Sequence, residues 1–78
     1  MAIIGREEAW ETVDLLEQER EDAEKKAWDA LSRYKFWMFG YHAARWVNAN
    51  RLLADRKENP FAHLVKLARL KKAGYPIE

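Results

Sequence analysis

An all-α fold follows from three observations on this chain of 78 residues. No Gly or Pro occurs from Arg6 to Phe39, and nearly every residue there is a good helix former. Over the same stretch Ala9, Val13, Leu16, Arg20, Ala23, Ala27, Ala30, Tyr34, Trp37 and Tyr41 recur at alternating spacings of four and three, the seam of a coiled-coil-like helix. Beyond it, Asn59-Pro60 and Gly74 mark helix boundaries. The predicted architecture is one domain, 1–78, built as a small three-helix bundle or helical hairpin. Its elements are a long N-terminal helix at about 6–38, a middle helix at about 41–57 and a short C-terminal helix at about 60–73.

Each element has its own support. Asp and Glu crowd the start of the first helix, where the helix dipole favours them. Glu21/Lys25 and Asp22/Lys26 are i,i+4 pairs in the favourable order. Four of the ten seam positions are Ala, so a partner helix can come close. Arg20 interrupts the seam, and only one apolar residue lies between Glu17 and Lys26, so a break near Glu19–Asp22 competes with one continuous helix. Gly40 has two readings: a helix-ending C′ glycine, or a small residue inside a continuing helix. The absence of a capping Ser, Thr, Asp or Asn after it weakens the first. For the last helix, Asn59 suits the N-cap and Pro60 the first turn, Gly74 is the expected C′ residue, and Pro76 prevents continuation.

The middle segment is rich in aromatic residues. On a helical wheel one face gathers Phe36, Phe39, Ala43, Trp46, Val47, Leu53 and Ala54, with Asn50 in its middle. The opposite side gathers Tyr34, Trp37, Met38, Tyr41 and Leu52. A helix apolar on two sides is either central in its domain or shared with a partner. Three helices in 78 residues offer little material to cover both sides. Tyr34, Trp37, Met38, Tyr41, Arg45 and Leu52 are therefore the candidate partner-binding residues, being of the types enriched at interfaces. The competing reading makes the same aromatics ordinary core. Asn50, if buried, needs hydrogen-bond partners and can fix helix register.

Charge is unevenly distributed. Residues 1–31 carry ten acids against four bases, and residues 32–78 carry three acids against ten bases. The formal net charge of +1 hides this dipole. One explanation is an acidic helix packed beside basic ones, within one chain or between two. Another is nucleic-acid binding by Arg45, Arg51, Arg56, Lys57, Lys66, Arg69 and Lys72. Against a helix-turn-helix reading, the last helix begins Phe61-Ala62-His63-Leu64, without polar side chains suited to base edges. A membrane-surface reading of the aromatic segment meets an adjoining acidic stretch.

Other classes find no residues to carry them. There is no Cys for a disulfide or thiolate site. The glycines are isolated, so no phosphate loop forms. His42 and His63 have no His or Cys partner at i+3 or i+4. Ser32 and Thr12 sit in charged helical contexts without an evident base. No enzyme activity, catalytic residue, metal, cofactor or small-molecule substrate is expected. No apolar run approaches the ~20 residues of a membrane span, and a cytoplasmic location is the default. The expected function is a small protein-protein interaction module, an adaptor, assembly factor or inhibitor that binds itself or another protein. Phage-encoded accessory proteins have this size, although no residue pattern marks that origin.

Overall fold

The computed structural model describes the backbone of residues 6–74 and the side chains of residues 10–74. Seam position Ala9 and the stop signal Pro76 thus lie outside the described side chains. The described residues form three helices and no strand: α1 (Arg6–Ser32), α2 (Phe36–Leu52) and α3 (Ala62–Lys72). α1 and α2 pack as a hairpin, and α3 is a short C-terminal arm.

The first expected helix ends six residues early. Instead of running to 38, α1 stops at Ser32 and the chain reverses over residues 33–35. The stop is a Schellman turn. The Lys35 N–H donates to the Ala30 carbonyl at 2.9 Å and the Tyr34 N–H to the Leu31 carbonyl at 3.1 Å. Tyr34 takes the left-handed conformation at φ 62° that glycine usually supplies. Lys35 precedes α2 without a side-chain cap. The turn therefore carries neither of the usual residue signals.

The middle helix shifts accordingly, covering 36–52 rather than 41–57. Gly40 lies inside it with no atom within 4 Å of the position a Cβ would occupy, so it neither ends a helix nor admits a close neighbour within the chain. No break occurs near Glu19–Asp22. α3 covers 62–72 rather than 60–73. Its N-cap is Phe61, without a side-chain cap, rather than Asn59, which instead closes a local turn ahead of the helix, its Oδ1 accepting the Phe61 N–H at 2.8 Å. Gly74, at φ 89°, holds the expected C′ position.

The Ala row of α1 makes the hairpin tight. Ala23, Ala27 and Ala30 are buried against α2, whose Trp46 and Ala49 are buried in return. Phe39, Ala43, Val47 and Trp28 pack around this cluster. Phe61, just before α3, inserts into it, its ring centroid 4.9 Å from Trp28 and 5.3 Å from Phe39. The core face of α2 is thus the face the wheel identified, except that Phe36 and Ala54 are exposed. α3 itself has no buried residue and is anchored through Phe61 and Leu64.

Two polar clusters lock the register. Arg20 is 4% exposed. Its Nη1 donates to Asn50 Oδ1 at 2.8 Å and to the Asp55 carbonyl at 2.6 Å, and Nη2 lies 3.4 Å from Asp55 Oδ2. Asn50 also pairs with the backbone of Lys57, accepting its N–H at 2.9 Å and donating to its carbonyl at 3.0 Å. The seam interruption and the apolar-face Asn are therefore two halves of one arrangement. Pairing of Arg20 with Asn50 also places α2's end beside the middle of α1. At ~1.5 Å per residue, α1 is about 40 Å long and α2 about 25 Å, so the first turns of α1 run past α2.

Candidate protein-interaction surface

The break at residues 33–35 decides which aromatics are core. Once the chain has reversed, the seam continues in Phe39, Ala43, Trp46 and Asn50. Tyr34, Trp37 and Tyr41, which a continuous helix would have kept on the seam, face outward. Trp37 is 78% exposed and Tyr41 55%. Their rings stack, 6.3 Å between centroids and 6° between planes, as i,i+4 neighbours on a helix can. Tyr34 and Phe36 are exposed beside them, edge to face at 6.0 Å. Tyr41 also meets His42 edge-on at 5.1 Å. Five of the six candidate residues thus lie at least partly open on α2 or the turn before it. Met38 is half-buried, and Leu52 is exposed at the far end of the helix, separated from the aromatic group.

Arg45 is elsewhere. It lies between α1 and α2, with Nη2 2.6 Å from Glu19 Oε1 and 2.9 Å from Asp22 Oδ2, and Nε 2.8 Å from Glu19 Oε2. Its Nη1 donates to His42 Nδ1 at 2.8 Å. Hydrogen bonds from Arg45 hold both the Glu19 and the Asp22 carboxyl below their ordinary range. The same two carboxylates raise the Arg45 pKa further above its already high value. Arg45 is a strut of the hairpin, not an open contact residue. The acidic and basic halves of the sequence meet within one chain here.

The remaining cations considered for nucleic acid fall on separate elements. Arg51 lies in the last turn of α2, with its carbonyl accepting from Arg56 Nη2 at 3.2 Å. Lys57 is in the connecting loop, and Lys66, Arg69 and Lys72 are exposed along α3. His63 stacks on Trp28 at 6.1 Å. Among the described residues, no three His, Cys, Asp or Glu side chains converge as metal ligands do. No helix there is long and apolar enough to cross a membrane.

Two further open apolar patches escaped the sequence reading. Trp10 and Leu15 near the start of α1, and Val65, Leu67 and Leu70 on α3, are all exposed. The signal was the brevity of α3: a helix of about three turns cannot cover the rest of a 27-residue partner. No protein-family model, curated protein or solved structure matches the chain.

Proposed function

We propose that the chain is a small, self-associating protein-protein interaction module without chemistry of its own, and that the aromatic face of α2's first half is a docking surface. The observation that carries this reading is the stacked Trp37–Tyr41 pair held in the open. Aromatic anchors of this kind bury large areas at little conformational cost, and they dominate interface energetics. The stack restricts the two rings before any partner arrives, which lowers the entropic cost of binding.

The total surface supports the same reading. The chain exposes 6787 Å², against about 5,000 Å² for a compact monomer of this mass. The excess exceeds the roughly 800 Å² that one partner contributes to a standard interface.

The test is the Trp37→Ala/Tyr41→Ala double variant beside wild type. Both residues lie outside the core, so far-UV circular dichroism and the urea midpoint should stay unchanged. Capture of a protein partner from cell extract should fall about tenfold or more, as loss of an aromatic hot spot gives. Unfolding of the variant would make the pair core. Unchanged association would remove the face from the interface.

A further inference from the structure

A second apolar surface lies apart from the Trp37–Tyr41 pair. A groove of about 330 Å³ opens between α2 and α3, walled by Phe39, Ala43, Val47, Phe61, Leu64 and Val65. On α3, Arg69 and Lys72 stand on the Val65 side of these wall residues, and Lys66 lies further round the helix. They are exposed, and among the described residues they take part in no ion pair.

The complement lies at the other end of the molecule. The turns of α1 that run past α2 carry Trp10, 63% exposed. Glu11, Asp14 and Glu17 stand one, four and seven positions after it, also exposed and also outside every ion pair among the described residues. An apolar groove with a cationic wall helix and an apolar anchor followed by carboxylates are matched in chemistry. They cannot meet within one chain. Trp28 touches Phe61 in the groove wall. Eighteen residues of unbroken helix, about 27 Å, separate Trp28 from Trp10.

We infer that the groove receives the acidic start of α1 from a second copy, and gives its own α1 in exchange. Trp10 of each copy seats against the apolar walls of the other, and the carboxylates of Glu11, Asp14 and Glu17 face the cations of α3. With the two copies antiparallel both contacts form at once, so the pair closes on a two-fold axis and does not propagate. Being separate from the Trp37–Tyr41 face, it does not rest on that reading and leaves that face free for a different protein.

Charge exchange tests the pairing. Two variants of the full chain are made, Asp14→Lys/Glu17→Lys and Arg69→Glu/Lys72→Glu, and their solution masses are measured against concentration. All four positions are exposed, and circular dichroism should report unchanged helicity. Each variant alone should dimerise about tenfold or more weakly than wild type, since every reversed residue acts twice in the symmetric contact. Mixing the two should restore a heterodimer near wild-type affinity, because both exchanged contacts again pair opposite charges. Should either variant lose helicity, wild type alone still decides: its dimer should weaken as salt rises from ~50 to ~500 mM. Variants that dimerise like wild type, a mixture that stays monomeric, or a salt-indifferent dimer would overturn the pairing. A wild-type chain that stays monomeric to about 100 µM, above the weak end of specific affinities, would also overturn it and leave the groove to a different acidic helix. Association lost in Trp37→Ala/Tyr41→Ala but indifferent to the charge variants would overturn this dimer while sustaining the aromatic face.

Discussion

Tyr34 sets the topology and does so at a cost. A non-glycine residue in the left-handed region is disfavoured by roughly 1–2 kcal/mol, yet φ 62° at Tyr34 is what lets the Schellman turn close and α2 fold back. Tyr34→Gly should therefore stabilise the hairpin by about 0.5–1 kcal/mol, after allowing for the added freedom of glycine in the unfolded chain. A higher urea midpoint would show it, and a lower one would mean that the exposed Tyr ring contributes more than its backbone costs. Asn50 acts in the opposite sense. Asn50→Leu removes one acceptor from nearly buried Arg20 and both bonds to the Lys57 backbone. The expected loss is about 2–3 kcal/mol, the range for stranding buried polar groups. If the coupling to Arg20 is real, the loss shrinks when Arg20→Met is already present, and a double-mutant cycle reads that difference.

At the scale of elements, α1 and α2 are held by the Ala row against Trp46 and by two polar clusters, whereas α3 is anchored only near its start, through Phe61 and Leu64. The Arg45 cluster gives the hairpin a pH signature. Hydrogen bonds from Arg45 lower the folded-state pKa values of Glu19 and Asp22 from their ordinary 4.5 and 3.8. The unfolded chain then binds more protons than the folded one through this range, so stability rises with pH. The contribution is complete above the ordinary values and is lost as pH falls through the lower folded ones. Arg45→Met should cost about 1–2 kcal/mol at neutral pH. It should also flatten the decline of the urea midpoint below about pH 4.5, relative to wild type. An acid decline equally steep in the variant would place its origin in other carboxylates. The sequence made the helices, the Ala row and the core face of α2 legible, because periodicity and composition act locally. It hid the turn at residues 33–35 because neither Tyr34 nor Lys35 is a residue that turns or caps select. Without that turn, a continuous seam put Tyr34, Trp37 and Tyr41 beside Ala30, and Arg45 stayed among open contact residues. The Arg45–Glu19–Asp22 cluster depends on residues 23 and 26 positions apart, which no local pattern encodes.

The molecule as a whole is long and thin, 57 × 24 × 18 Å, with a radius of gyration of 16.3 Å. A compact domain of 78 residues has about 11–12 Å. The cause is visible in the parts: α1 outruns α2, and α3 touches the hairpin only through its first turn. Both departures leave apolar side chains in the open on a chain already close to the lower size limit for an independent core. Association is the physical remedy for such a surface, and the division of charge between the two halves gives it direction. The most direct measurement is the solution mass of the full chain by light scattering across a concentration series. Self-association predicts a mass that rises from 9.3 kDa toward twice that value as concentration increases. A mass of 9.3 kDa throughout the series would contradict it.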